Sequence, residues 1–258
     1  MQVDAVAAVR RTHQAWFAYG TRQEPLTHGI AFYSAEGTQS PELNQFREVL
    51  LAGDDPSAAW REAEDFFEAR GLRCGRWVPS SEQSPQNLES FLADHGFRRV
   101  DTAALLLTAW PEASTLPEVR LLPVRAVLSQ YRRMVAAQTD AVGRLDPSFA
   151  QAAEMHVDDP QMDLFVALRG GQAVGFGGLH HVGDIACLRD IYVAPQFRGR
   201  GTGRAIVAHV VALARRIAPR VICASAPAAD QAALSVLRAC GFEEAGRLPE
   251  FHRLTGSP

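Results

Sequence analysis

The stretch IACLRDIYVAPQFRGRGTGRAIVAHVVALARR, residues 185 to 216, constrains the fold more than any other part of the chain. A strand-like run leads into three glycines and three arginines, and an apolar helical run follows. Ile206, Val210, Leu213, Ala214 and Ile217 recur at helical spacing, so the segment after Gly203 is expected to lay one face on a sheet. Arg198, Arg200 and Arg204 then stand at or near the helix N-terminus, where each cation is disfavoured by about 0.3 to 1 kcal/mol. Something negative is needed there to offset them. Free amides at a helix start, open to close approach because Gly199, Gly201 and Gly203 carry no side chain, make a cradle for a phosphate or pyrophosphate. A dinucleotide turn would need a third glycine where Arg204 stands, and a P-loop would need glycine and lysine followed by serine or threonine; neither is present. The plain alternative is a turn whose arginines point into solvent.

Composition makes any such anion site a local feature. The 258 residues carry a formal net charge of -3, with 47% hydrophobic and 21% charged residues. That is the balance of a globular protein and gives no basis for general nucleic-acid binding. Cys74, Cys187, Cys223 and Cys240 are far apart and form no CxxC pair, so neither a disulfide framework nor a cysteine zinc site is suggested, and no metal is expected. A reducing cytoplasm is the expected setting. The opening MQVDAVAAVRRTHQAWF lacks a basic start followed by an uninterrupted apolar core, and no later run approaches a membrane span without a charge or histidine. No export signal and no membrane partner are expected.

The length suits two domains of ordinary size. AWPEASTLPEVR, residues 109 to 120, sets two prolines among small polar residues and reads as a linker, which places one domain at residues 1–115 and another at 116–258. In the second, VRLLPV, DLFVALRG, QAVGFGGLHHV, IACLRDIYV and VICASAP read as strands, with AVLSQYRRMVAAQ and DQAALSVLRACGF as helices. A last strand pair is expected from about Phe242 to Leu254. The expected class is mixed α/β (α+β), a mixed central sheet flanked by helices. The first half echoes this plan. SAAWREAEDFFEARGL is helical, RCGRWVP echoes RVICASAP, and NLESFLADHGFRRVDTAALLLT echoes AALSVLRACGFEEAGRLPEFHRLT. The Gly-Phe pairs at 96 and 241 lie 145 residues apart, a period that fits a duplicated domain rather than a solenoid of about 20- to 50-residue repeats. Where the second half has RGRGTG the first has AGDDPSAA, so a duplicated N-terminal copy would be incomplete and without the anion site. Chance recurrence of helix, Gly, Phe and strand is the alternative.

Taken with the strand before it and the helix after it, the turn resembles the acyl-CoA motif R/Q-x-x-G-x-G/A of the GNAT superfamily of N-acetyltransferases, here Arg198, Gly201 and Gly203 following IYVAPQF. The resemblance spans most of residues 118 to 254. Asp230 through Phe242 follows the family pattern N-x-x-A-x-x-x-Y-x-x-x-G-F at Ala233, Gly241 and Phe242. Asp230 stands where asparagine is usual, and Leu237 where the family often has a tyrosine that protonates the leaving thiolate. The resemblance implies a GNAT-like sheet, duplicated as in tandem proteins of the family with a degenerate N-terminal half. It implies acetyl-CoA as cosubstrate and direct transfer of acetyl to a small-molecule or peptide amine. By the same resemblance the pyrophosphate lies on amides from Gly199 to Arg204, in a turn that includes Arg198, Arg200 and Thr202, with Asp230 also at the coenzyme. The pantetheine arm runs beside Ile191, Tyr192 and Val193, and an amide near Ile191 faces the thioester carbonyl.

Direct transfer also needs a route for the amine proton and a source of one for the thiolate. His181, Asp190 and Tyr192 are the candidates; His180, Glu250 and His252 lie near them in sequence or on the last strand. A histidine could act near its reference value of about 6.5, whereas Asp190 would need a raised one and could instead hold Arg189 or a turn amide. Cys187 stands roughly where some relatives carry a glutamate base, and as a strand thiol it reads as core. His28, Tyr33, Glu36 and Asn44 could touch an acceptor or could be turn residues. Beside the enzyme stands a second reading suggested by Leu237, a catalytically inactive acyl-CoA sensor or partner-binding module. A monomer and a homodimer both fit.

Overall fold

The computed structural model describes residues 4–34, 39–40, 43–51, 55–80, 87–111, 119–142 and 153–253. The chain forms two compact units, residues 1–16 with 103–246 and residues 17–102 with 247–258. This packing differs from a single cut at residue 115. Helix α1 (Ala5–Ala18) falls almost wholly in the larger unit, and strands β5 (Phe97–Leu107) and β11 (Phe242–Arg253) run through both. Most of the expected linker, residues 112–118, lies outside the described residues.

The smaller unit begins with β1 (Thr21–Pro25), β2 (Ile30–Ser34) and β3 (Gln45–Val49), paired antiparallel in turn. Helix α2 (Ser57–Glu68) leads to β4 (Arg76–Pro79), which runs parallel to β3, and α3 (Leu88–Asp94) leads to β5. Its neighbour order is β1-β2-β3-β4-β11-β5. Ala63 and Phe67 of α2, Leu88 and Leu92 of α3, and Phe46, Trp77 and Phe251 of the strands close its core. His28 and Asn44 serve this framework. The His28 ring nitrogen Nδ1 lies 2.7 Å from Glu62, and the buried Asn44 Oδ1 accepts from the Ser34 amide at 3.0 Å. Tyr33 stacks edge-on against Phe66 at 5.4 Å. Glu36 lies outside the described residues.

The larger unit contains β6 (Arg120–Pro123), α4 (Leu128–Val142), β7 (Met162–Arg169), β8 (Gln172–Val182) and β9 (Ile185–Val193). Helix α5 (Thr202–Arg216), β10 (Val221–Pro227) and α6 (Gln231–Arg238) follow, then β11. Strands β6 to β9 form an antiparallel meander, with Arg169 facing Gln172 across the Gly170-Gly171 turn, and β10 lies parallel to β9. The order is β11-β5-β10-β9-β8-β7-β6. Ile206, Val207, Val210, Val211 and Ala214 of α5 bury against Val174, Leu179, Ala186 and Leu188 of the sheet, as their helical spacing requires. Ile217 departs from that expectation. It follows the last helical turn and is 50% exposed. The segment expected as a strand pair is the single strand β11; proline at position 249 leaves it unbroken because its fixed φ is compatible with extended backbone.

Both units therefore run through an antiparallel meander, a helix, a parallel strand, a helix and a further strand. The likeness extends to backbone detail. β3 carries Glu48 at φ 52° and β9 carries Asp190 at φ 53°, both at pairing irregularities and both preceded by an arginine, Arg47 and Arg189. Among the described residues, no helix is long and apolar enough to cross a membrane.

The α5 contact depends on bare backbone in β8. A Cβ on Gly175 would overlap the Tyr192 carbonyl and sit 2.9 Å from Ile206 Cδ1. Gly175→Ala is therefore expected to destabilise the protein by about 1 to 3 kcal/mol, the range for overpacking a close-packed core. Urea denaturation measures this, and an unchanged midpoint would show that α5 does not bear on β8 there.

Candidate active site

Strands β9 and β10 pair in register from Ile185 opposite Val221 to Leu188 opposite Ala224, and then stop, although β9 continues to Val193 and β10 to Pro227. The break coincides with a bulge. Against β8, Arg189 faces Gly178 and Tyr192 faces Phe176, so Asp190 and Ile191 together oppose Gly177. An extra residue in one strand bends it and strengthens its twist. Here the bend leaves the β9 edge beyond Leu188 without a strand partner on the β10 side. A Cβ on Gly177 would come within 2.7 Å of Ile191 Cδ1 and 2.8 Å of Ile206 Cγ2, so the missing side chain makes room for the bulge under α5.

The glycine-arginine turn follows directly. Pro195–Phe197 forms a 3-10 turn, Arg198 is extended, and Gly199 and Gly201 adopt φ 69° and 78°, left-handed values that glycine takes without a Cβ penalty. Gly201 caps α5, and the first helix amide to find a backbone acceptor is that of Ala205, bonded to the Gly201 carbonyl at 3.0 Å. Among the described residues, no backbone carbonyl accepts from the amides of residues 199 to 204. Nor, among the described residues, does any carboxylate lie within ion-pair distance of Arg198, Arg200 or Arg204. Arg198 turns back to donate from Nε to the Val193 carbonyl at 2.9 Å, and the buried Thr202 hydroxyl lies 3.3 Å from the Phe197 carbonyl, fastening the turn to the strand. Gly203 is less demanding, since a Cβ there would meet Val193 and Val236 at ordinary contact distances of 3.5 and 3.6 Å.

The candidate proton-transfer residues separate. Asp190 sits in the bulge and Tyr192 two residues on, with its ring 5.2 Å from Phe176 and its buried hydroxyl without a hydrogen-bond partner among the described residues. Burial pushes the Tyr192 phenol up from its ordinary value. His181 is elsewhere. It faces Ala186, five residues before Ile191, and so lies roughly 17 Å back along the strand from the bulge. Its Nε2 pairs with Asp163 at 2.8 Å. Asp230 caps α6 by accepting from the Ala233 amide at 2.9 Å, and Leu237 is buried in the core. Cys187 faces Cys223 across β9 and β10; both thiols are fully buried, and a thiol-to-thiol hydrogen bond pushes Cys187 down and Cys223 up. Glu250 and His252 pair with each other at 3.1 Å in the smaller unit. No group of three or more His, Cys, Asp or Glu residues suited to hold a metal occurs among the described residues.

The sheet face opposite α5 carries residues that sequence reasoning did not assemble. Tyr131 of α4 is buried against Phe176, and its phenol is pushed up, first by burial and then by the charge of Asp190. His156 stacks on Trp16 with ring centroids 3.3 Å apart and donates to Asp159 at 3.1 Å. The Arg189 guanidinium lies 4.3 Å from the Trp16 ring. Trp16, Tyr131, His156 and Arg189 are far apart in the sequence and share no spacing pattern that would have joined them.

The acetyltransferase (GNAT) family model matches residues 128–242, the span that contains the bulge, the turn and α5. Over 103 residues the chain is 34% identical to the aminoglycoside N(6')-acetyltransferase type 1 of Stenotrophomonas maltophilia, covering 36% of this chain and 67% of that protein. The chain belongs to the GNAT acetyltransferase family and is an acyltransferase. Among solved structures, a GCN5-related N-acetyltransferase from Kribbella flavida shares the fold over 99% of this chain and 97% of its own, with a TM-score of 0.66 and 17% identity. A functionally unknown conserved protein from Staphylococcus epidermidis does so over 91% and 94%, with a TM-score of 0.68 and 14% identity.

His180, wholly buried with neither ring nitrogen partnered among the described residues, is held down to about 3, first by burial and then by the charge of Arg189. Between its ordinary value near 6.5 and that low one, the unfolded chain binds a proton that the folded chain refuses. Stability is therefore expected to fall as pH drops through this window, by up to about 1.4 kcal/mol per pH unit from this ring. Urea midpoints at pH 7 and pH 5 measure the slope. His156, held down to about 3 first by burial and then by the charge of Arg189, adds to the same slope. His180→Phe should therefore reduce the slope without abolishing it, and an equal slope in that variant would show that His180 does not contribute.

Proposed function

We propose that the chain is an acetyl-CoA-dependent N-acetyltransferase that moves acetyl to a small-molecule amine by direct attack. One observation carries the reading. Among the described residues, six consecutive amides, from Gly199 to Arg204, lack backbone acceptors beside three arginines that lack carboxylate partners. A diphosphate answers both needs at a helix N-terminus. The GNAT family uses acetyl-CoA, and the Stenotrophomonas relative, named for N-acetylation of an aminoglycoside, supports an amine acceptor. The proposed setting is the cytoplasm, consistent with four free, buried cysteines, and the protein would act as a monomer or homodimer.

In this reading the amides of Gly199, Arg200, Gly201, Thr202, Gly203 and Arg204 hold the diphosphate, with the Arg200 and Arg204 side chains beside it. Arg198 remains on the Val193 carbonyl and braces the turn. Ile191, Tyr192 and Val193 offer the pantetheine arm the strand edge that β10 leaves free. The coenzyme supplies an acyl carbon activated as a thioester. The Ile191 amide donates to its carbonyl oxygen as negative charge develops there. The amine nitrogen forms the new N–C bond, the C–S bond breaks, and the proton shed by nitrogen passes through water to Asp190. Tyr192 protonates the departing thiolate, because Leu237 has no proton to give. Asp230 serves by capping α6.

The N-terminal half is proposed to be a degenerate copy of the same domain. Its support is the shared element order and the matching Arg47-Glu48 and Arg189-Asp190 bulges. The copies differ where function requires it. β3 and β4 pair again beyond the bulge, Val49 opposite Pro79, which leaves no slot for a coenzyme arm.

Calorimetric titration with acetyl-CoA tests the coenzyme site. Wild type and Gly203→Ala are expected to bind alike, whereas Gly201→Glu with Gly203→Glu should lose affinity by about 100-fold or more, close to 3 kcal/mol, while the circular dichroism stays folded. Unchanged affinity in the double variant would refute the placement of the diphosphate. Thiol release with a panel of amines that includes an aminoglycoside separates the enzyme from a sensor. Binding without release would favour the sensor that Leu237 suggests.

A further inference from the structure

The sheet face opposite α5 holds a guanidinium with one buried donor that no acceptor among the described residues meets. Arg189 ends the regular part of β9, and alternation along the strand puts it on the same face as Cys187 and, across the pairing, His180. Arg189 Nη1 is buried without a hydrogen-bond partner, and both nitrogens of the wholly buried His180 are unpartnered as well. The two lie around Trp16, whose ring is 4.3 Å from the guanidinium and 5.9 Å from the imidazole. Asp159, the buried carboxylate of this face, is already committed to His156 at 3.1 Å and the Gln161 amide at 2.8 Å.

The smaller unit supplies an internal comparison. Arg47 holds the corresponding place before its own bulge and also lies against an aromatic ring, that of Phe17 at 4.6 Å. There Gln45, two residues earlier, accepts from Arg47 Nη1 at 2.6 Å. Two residues before Arg189 stands Cys187, a fully buried thiol with no oxygen to offer. The arginine recurs, and the acceptor that Gln45 offers to Nη1 does not. Buried donors left without acceptors are unfavourable, so a site that keeps two of them is suited to an acceptor that arrives with the substrate.

Building on the acetyl-transfer reading, we infer that Arg189 and His180 receive a carboxylate, and hence that the acceptor is an amine carrying its own carboxylate, as a free amino acid does. Arg189 Nη1–H and one His180 N–H donate to the carboxylate oxygens, and Trp16 forms the wall. A coenzyme arm that starts at the α5 N-terminus and passes between β9 and β10 emerges on this face. Arg189 and Ile191 are two residues apart, so the backbone that carries the guanidinium and the oxyanion amide lie within about 7 Å of each other. One small molecule spans that distance.

The test compares matched amines with and without a carboxylate, L-phenylalanine against phenethylamine and L-methionine against 3-(methylthio)propylamine, by acetyl-CoA-dependent thiol release, with acetyl-CoA affinity measured in parallel. Wild type is expected to favour the carboxylated member of a pair by about tenfold or more in kcat/KM, a discrimination that a charge-assisted contact supplies. In Arg189→Gln the ratio should fall toward one, chiefly through KM, with acetyl-CoA affinity unchanged; Arg189→Lys should keep part of it. The wild-type ratio decides the matter even where a variant fails to fold. A wild type that binds acetyl-CoA but prefers the amines without a carboxylate, shows no preference, or uses no member of the panel overturns the assignment of Arg189 and leaves the coenzyme reading standing. Failure to bind acetyl-CoA overturns both.

Discussion

Asp190 holds a left-handed backbone conformation, φ 53°, that is unfavourable for an L-residue by about 1 to 3 kcal/mol, and the strand it interrupts is the one from which β10 departs. The bulge bends β9, the pairing with β10 ends at Leu188, and a strand edge is left open between two strands that are otherwise firmly packed. Gly177 of β8 accommodates the bent segment, while Ile206 of α5 presses on it from one face. Four residues beyond β9 the glycine-arginine turn begins. Open edge and unsatisfied amides thus lie on one continuous piece of backbone, which makes a single extended ligand the natural occupant of both.

The two units show how narrow the difference between scaffold and site is. Each has a meander, a parallel strand and an acidic residue in left-handed conformation after an arginine. In the smaller unit the parallel pairing resumes past the bulge, Gln45 accepts from Nη1 of the arginine, and the segment after the strand carries Asp54 and Asp55 rather than three arginines. Aspartates at that place would repel a diphosphate. In the larger unit each of those features is reversed, and each reversal leaves a polar group without an answer among the described residues.

Much of this architecture was legible in the sequence. QAVGFGGLHHV, IACLRDIYV and VICASAP match β8, β9 and β10 residue for residue, because alternating or wholly apolar runs bounded by Gly, Asp and Pro leave little choice of element. The turn was legible because cations at a helix N-terminus conflict with its dipole unless an anion is present. The bulge was not, since asparagine or glycine marks left-handed positions far more often than aspartate does. Spatial grouping was also hidden. His181 adjoins His180 in sequence, yet alternation sends them to opposite faces of β8, and Trp16 reaches the β9 face from a helix that begins at Ala5. A cut at residue 115 follows the linker composition, whereas the packing assigns α1 by its contacts with the later strands, such as the 2.9 Å bond between His13 and Ser225.

Hydrogen exchange of individual backbone amides, followed with and without acetyl-CoA, tests the central claim most directly. If the turn holds the diphosphate and the β9 edge holds the arm, exchange at residues 199 to 204 and at Ile191 will slow on adding the coenzyme. Unaltered exchange at those amides, with protection appearing elsewhere in the chain, would contradict the account.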